Sequence, residues 1–411
     1  MNALDAAADQ LARIGASEAD EAAHDLLAES VRRGVTPAGI GRVYEAIGSG
    51  KIAPLTVPAF NVRGLVYDVA RAIYRRASAL GTIGVIFELA PSESATGDQS
   101  FAQYAALVAA AAAREGHSGP VFVQGDHFAL ETSERAERDA LLGLARDALE
   151  AGYLQIDLDT AALAVPGATP HERQLPSALA TAELLRELAP FARPGTVFGG
   201  EIGEIGGENT SGEDLQAFID LVREHAGEAA GLFGKVSVQT GTRHGGMTGS
   251  DGSPARMPLD TDLAARLAAV ARSNGFGGVV QHGASTLQPD QFRALPGCGI
   301  IEVHLATNIQ NLIFDSPAFP ASLRARMRDD ALASAAGAAE RGADSGATDP
   351  EAAFRQKRWS MWGPYKRDLL DLPAATRREL AEGVADWAEG LLEAFGQRGR
   401  AAELLALYGD R

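Results

Sequence analysis

The 411-residue chain has a single cysteine, Cys298, so no intramolecular disulfide can form and no thiolate cluster can hold a metal. Any bound ion must rely on imidazoles and carboxylates. Positive charge is also scarce: 37 Lys and Arg stand against 54 Asp and Glu, a formal charge of -17, which repels polyanions such as nucleic acid or an anionic membrane. No apolar run approaches the roughly 18 residues of a membrane-spanning helix. The N-terminus has no basic segment followed by an apolar core, and a cytoplasmic protein is expected. Internal repeats and low-complexity linkers are missing too.

What the chain does contain is ordinary for a globular protein with a sizeable core: 46% hydrophobic and 22% charged residues. Residues 2–50 alternate short amphipathic segments, including Ser17 to Arg33 and Pro37 to Gly48. Eight apolar runs follow that read as buried strands: Leu55 to Val62, Thr82 to Leu89, Pro120 to Gly125, Tyr153 to Leu158, Thr196 to Ile202, Phe233 to Thr240, Gly278 to Gln281 and Gly299 to Leu305. The segments between them, such as Gly64 to Leu80, Gln99 to Arg114 and Glu131 to Ala151, are mostly long enough for one helix. Eight alternations of strand and helix predict a (β/α)8 TIM barrel with parallel strands. The expected organisation is a helical preamble over 1–50, the barrel over 51–315 and a C-terminal helical extension over 316–411. That extension would pack on the barrel or on a neighbouring subunit.

The chain is organised around Val121-Phe-Val-Gln-Gly-Asp-His-Phe128, where an apolar run ends in a carboxylate beside an imidazole. Taken alone, Asp126 could cap a helix while His127 is a satisfied core histidine. Three further strands also end in possible ligands: Glu201 after the fifth, His244 after the sixth and His282 after the seventh. A closed parallel barrel brings such ends to one face, where barrel enzymes do chemistry. Three of the eight histidines in that position, with a carboxylate, suit a catalytic Zn²⁺ that keeps one open site. Gly245 and Gly283 follow two of these histidines, and glycine lets backbone N–H groups approach an anion closely. The stretches Glu204 to Asp214 and Gly245 to Pro258 read as mobile loops over the site or as plain solvated loops. The basic-aromatic stretch 354–367 reads as a phosphate or subunit contact, or as packing on the barrel.

In the order of the chain, Val57-Pro-Ala-Phe-Asn-Val62, Gly125-Asp-His127, Gln155-Ile-Asp157, Glu201-Ile-Gly-Glu-Ile-Gly-Gly-Glu208, Gly241-Thr-Arg-His-Gly245 and His282-Gly-Ala-Ser285 resemble motifs of the class II, zinc-dependent ketose-bisphosphate aldolases. The resemblance implies that His127, His244 and His282 bind Zn²⁺, that Glu201 lies within reach of it, and that Asp126 moves the substrate proton. It implies for Asp157 a role with a second divalent or monovalent cation, or in orienting the metal ligands. Cleavage of a ketose or ketose phosphate through a metal-stabilised enediolate is the implied reaction. Asn61, Gly245, Gly283, Ser285, His304 and Thr307 are the implied substrate and phosphate contacts. Further copies of the same chain, as a dimer or tetramer, are the expected macromolecular partners.

The chain also departs from that pattern. His304-Leu-Ala-Thr-Asn308 stands where the family usually reads Asn-Ile-Asp-Thr-Asp, so His304 replaces a substrate-contacting Asn and Ala306 a phosphate-side Asp. Glu88-Leu-Ala90 replaces a segment that carries a hydroxyl, and Asn209 falls where the proton-returning Glu is expected. Met247-Thr248 takes the place of a lysine. These changes predict a weaker or differently shaped phosphate grip beside a retained zinc centre. Two other readings compete. A non-catalytic barrel subunit, similar to the companion of tagatose-bisphosphate aldolases, would hold no metal and act only with its partner. A metal-dependent hydrolase would need a His-x-His on the first strand, where Phe60-Asn61 stands instead.

Overall fold

A computed structural model describes residues 2–203, 209–241, 259–281, 287–340 and 350–409. Its sheet is built from β1 (Val35–Pro37), β2 (Val57–Asn61), β3 (Ile86–Leu89), β4 (Gly119–Ala129), β5 (Gln155–Asp159), β6 (Val197–Ile202), β7 (Phe233–Val238), β8 (Val279–Gln281) and β9 (Ile300–Leu305). Strands β2 to β9 pair in parallel with their chain neighbours, and the β2–β9 pairing closes them into an eight-stranded barrel. Helices lie between the strands, so the fold is a (β/α)8 TIM barrel with helical N- and C-terminal extensions. All eight barrel strands fall within or beside the apolar runs of the sequence. Strands covered on both faces must be apolar on both.

The preamble is not wholly helical. Between helices Asp20–Arg32 and Gly41–Gly48, β1 pairs in parallel with the first residues of β4, Val35 opposite Gly119 and Pro37 opposite Val121. A three-residue strand ending in proline leaves no periodic signal, and its position at the edge of β4 is where proline is tolerated. Helix Gly41–Gly48 then closes the amino end of the barrel. Its Val43, Tyr44 and Ile47 are buried in one cluster with Val57, Ala59, Ile86, Phe122 and Ile301 from the strands. This layer fills the amino end of the barrel with apolar side chains.

The C-terminal extension packs on the barrel and on the preamble, with Leu404 in the same apolar cluster as Tyr44 and the Tyr408 hydroxyl donating to Gly39 O at 2.8 Å. Helix Ala374–Ala394 packs along helix Val66–Leu80, with Arg75 and Arg76 paired to Glu382 and Asp386. The basic-aromatic stretch lies against the loops that follow β2 and β3. Trp362 sits 4.6 Å from the Phe314 ring centroid, and a Cβ on Gly64 would come within 2.2 Å of its indole. Arg358 is buried and donates to Asp315 at 2.8 Å. Because Trp362 is 3% exposed, Trp362→Ala should lower unfolding free energy by about 3–5 kcal/mol. Urea denaturation measures this, and a loss below about 1 kcal/mol would show that the indole carries no packing there.

Candidate metal and catalytic site

The site begins with an irregularity in β4. Gly125 pairs with Ile156 and Phe128 with Leu158, so Asp126 and His127 together occupy the space opposite Asp157. One extra residue makes this a β-bulge. His127 has φ 45°, in the left-handed region, which costs an L-residue about 1–2 kcal/mol. In a regular strand these two neighbours would point to opposite faces. With the bulge, both reach groups at the carboxyl ends of the barrel: Asp126 meets His304, while His127 meets Asp159 and Glu201. Gly125 permits the turn, since a Cβ there would lie 2.4 Å from the Phe128 ring.

His127 Nδ1 is 3.4 Å from Asp159 Oδ2 and 3.6 Å from Glu201 Oε2, and Asp126 Oδ2 is 4.0 Å from His127 Nε2. Donor atoms about 2.1 Å from a tetrahedral zinc stand about 3.4 Å apart, so the spacing of His127, Asp159 and Glu201 fits one shared divalent ion. The electrostatics agree. Burial pushes the His127 imidazole toward its neutral form, but the charges of Asp126, Glu201 and Asp159 outweigh burial and raise its pKa well above the ordinary value. Burial and the nearby Asp159 carboxylate likewise lift the Glu201 pKa well above the usual carboxylate range. A cation at this point would take the place of the imidazole proton and favour the ionised form of Glu201.

Beneath it lies a layer of charge buried inside the barrel. Lys235 Nζ donates to Gln124 Oε1 at 2.7 Å, Glu302 Oε1 at 2.6 Å and Asp157 Oδ2 at 3.0 Å. Gly199 makes room for the pair, because a Cβ would fall 2.0 Å from Asp157 Oδ1. Tyr44 reaches up from the preamble to hydrogen-bond Glu302. His304 donates from Nδ1 to Asp126 Oδ1 at 2.9 Å and from Nε2 to Glu302 Oε1 at 2.7 Å, with Glu88 Oε2 3.4 Å from Nδ1. Burial raises the Asp157 pKa to about 6 although Lys235 opposes it. Burial acts the same way on Glu302, but there Lys235 and His304 outweigh it and hold the carboxyl below the usual range. Glu88, fully buried near Asp126, is pushed well above that range.

The structure thus brings together Asp126, His127, Glu201, Asp157 and His304 from among the residues the sequence singled out. His244, His282, Gly245, Gly283 and Ser285 lie outside the described residues. Asn61 is buried and its amide donates to Glu93 at 2.6 Å and accepts from Arg63 at 3.2 Å. Thr307 is half-buried and opens helix Thr307–Phe314 directly after β9, and Asn209 is exposed. Asp157 faces the Lys235 ammonium at 3.0 Å. Sequence reasoning missed Asp159, Gln124, Lys235 and Glu302, and it noted Glu88 only as a lost hydroxyl. A signal was present: Glu302 and His304 alternate with apolar neighbours in Ile-Ile-Glu-Val-His-Leu, as does Lys235 in β7, and such polar positions in a barrel strand face the interior.

A barrel whose closed interior opens on an imidazole–carboxylate cluster defines the class of α/β-barrel enzymes with a metal-type site at the carboxyl face. The sequence profile of the family described as fructose-bisphosphate aldolase class-II matches residues 45–343, and the chain belongs to this family. The family makes it an aldolase-type enzyme, of a kind that typically uses a metal and a sugar-phosphate substrate. No curated protein matches the chain in sequence. Among solved structures, the YdjI aldolase from Escherichia coli K12 is similar at 15% identity and TM-score 0.52, covering 88% of this chain and 98% of its own. A fructose-bisphosphate aldolase from Campylobacter jejuni gives 16% identity and TM-score 0.52, over 89% and 97%. A probable tagatose 6 phosphate kinase from Sinorhizobium meliloti 1021 gives 16% and 0.55, over 86% and 97%. At such identities these likenesses concern the fold.

The buried layer is the part of the site most exposed to a single change. Removing one partner from a buried ion cluster leaves the others uncompensated, at about 3–5 kcal/mol. Lys235→Met should lose that much stability in urea denaturation, with Asp157 and Glu302 left facing each other. A variant within about 1 kcal/mol of wild type would mean that the ammonium does not balance these carboxylates.

Proposed function

We propose that the protein is a zinc-dependent aldolase that breaks and forms a C–C bond of a ketose or ketose phosphate. The observation that carries this reading is the β4 bulge, which turns two consecutive residues, Asp126 and His127, into the same mouth as Asp159 and Glu201. Family membership supplies the reaction class. The ion would be held by His127 with Glu201 and Asp159, joined by His244 and His282. When bound, a divalent cation supplies Lewis-acid stabilisation of the negative charge that develops on the ketone oxygen.

The chain's own groups carry the proton work. In the cleavage direction the Asp126 carboxylate accepts the proton of the C4 hydroxyl as the C3–C4 bond breaks. The O–H electron pair becomes the π bond of the departing aldehyde, and the C3–C4 pair moves toward the ketone oxygen. Gly245, Gly283, Ser285, Thr307 and Asn61 are the proposed contacts to the donor half and its phosphate. Ala306 and Ala90, which lack the polar groups of relatives, make that grip weaker or differently shaped. The reading carries with it a cytoplasmic homo-oligomer, with Asp157 orienting the ligand shell from below.

Two variants test it on separate readouts. His127→Ala should lose bound zinc in elemental analysis, and stoichiometric zinc in that variant would remove His127 from the ligand set. Asp126→Asn should keep its metal and lose at least about 100-fold in ketose cleavage, the lower end of what a general base contributes. Retention of more than about a tenth of wild-type turnover would exclude Asp126 as the base.

A further inference from the structure

We infer that His304 is a positioning residue for Asp126, a doubly donating imidazole that fixes the carboxylate by its Nδ1–H and is itself anchored by its Nε2–H on Glu302. The inference rests on the aldolase reading for its consequence in turnover, but the dyad itself is a matter of geometry. His304 is 7% exposed, and both of its ring nitrogens lie within hydrogen-bond distance of carboxylate oxygens: Asp126 Oδ1 at 2.9 Å and Glu302 Oε1 at 2.7 Å. A carboxylate only accepts, so both nitrogens carry hydrogen.

The anchor does not swing. Glu302 is fully buried, and it is held on its other sides by Lys235 Nζ at 2.6 Å, by Gln124 Nε2 at 2.9 Å and by the Tyr44 hydroxyl. Along β9, Glu302 and His304 are two residues apart and share the inner face, with His304 opposite Ala59 of β2. Ala59 is a small neighbour that leaves space for the ring. A chain of hydrogen bonds therefore runs from the closed amino end of the barrel, through Tyr44, Glu302 and His304, to Asp126 at the mouth. Asp126 sits in the bulge, directly before the left-handed His127. The His304 bond sets the rotation of the carboxylate, and with it the direction in which Oδ2 meets a substrate hydroxyl. Misplacing a reacting group by about 1 Å costs a reaction about 100-fold.

This assigns His304 differently from a substrate contact. A residue that binds substrate changes KM when removed, whereas one that aims the base changes kcat. Two side chains separate the halves of the imidazole. Asparagine places its amide N–H close to the position of Nδ1, and glutamine places its amide close to Nε2. We expect His304→Asn to keep the Asp126 bond and stay within about threefold of wild-type kcat, while His304→Gln keeps only the Glu302 bond and falls about 100-fold, as His304→Ala does. KM and zinc content should change by less than about threefold in all three. A His304→Gln variant with wild-type kcat, or variants that differ in KM and not in kcat, would overturn the assignment.

A second measurement stands apart from turnover. In ¹⁵N-histidine-labelled wild-type protein, His304 should give a strongly downfield ring N–H proton, which moves upfield in Asp126→Asn and persists in Glu201→Gln. Absence of that resonance, or its indifference to Asp126→Asn, overturns the dyad whatever reaction the enzyme performs. If the resonance is present and no ketose is cleaved by wild type, the dyad stands and the aldolase reading fails.

Discussion

Four carboxylates, Glu88, Asp126, Asp157 and Glu302, share the interior of one closed barrel with one ammonium and one imidazole. Charges removed from water at this depth are tolerable only where each is paired and hydrogen-bonded, so the position of every one constrains the rest. Lys235 holds Asp157 and Glu302, Glu302 holds His304, and His304 holds Asp126. The fold contributes the enclosure. Helix Gly41–Gly48 covers the amino end with an apolar layer, and the strands at the other end bear Asp126, His127 and Glu201.

On this platform a single inserted residue decides the chemistry. Without the bulge at Asp126 and His127, alternation along β4 would send one of the two away from the mouth. The strained φ of His127 is the local cost of bringing the proposed acid–base group and the proposed metal ligand to the same mouth. The electrostatic gradient follows the same line. Low in the barrel the positive charges of Lys235 and His304 hold the Glu302 carboxyl below the usual range, whereas at the mouth burial lifts the Glu201 pKa and the neighbouring carboxylates lift that of His127, so a divalent cation there would compete with protons.

Much of this was legible in the sequence. Apolar runs such as Thr196 to Ile202, each followed by a helical segment, are what a sheet covered on both faces requires, and they yield the barrel and its strand ends directly. Asp126-His127 stood out because it ends such a run. The bulge did not, since nothing in Gly125-Asp-His-Phe128 distinguishes an extra residue from a regular one until β5 is laid beside it. Asp159 was hidden because the apolar run stops at Leu158 while the strand continues for one more residue. Lys235 and Glu302 are single polar residues within apolar runs, and only the closure of the barrel shows that they meet. β1 is too short to leave a pattern. The replacement of an expected asparagine by His304 was visible, whereas its bond to Asp126 depends on the register of β9 against β2.

We propose that His127, turned by the bulge, binds a divalent ion at the mouth of the barrel. The most direct test is anomalous diffraction from zinc-soaked crystals, with data taken on both sides of the zinc absorption edge. One strong peak is expected about 2.0–2.2 Å from a ring nitrogen of His127, with carboxylate oxygen from Asp159 or Glu201 at a similar distance. A peak bound elsewhere in the barrel, or none beside His127 at saturating zinc, would contradict it.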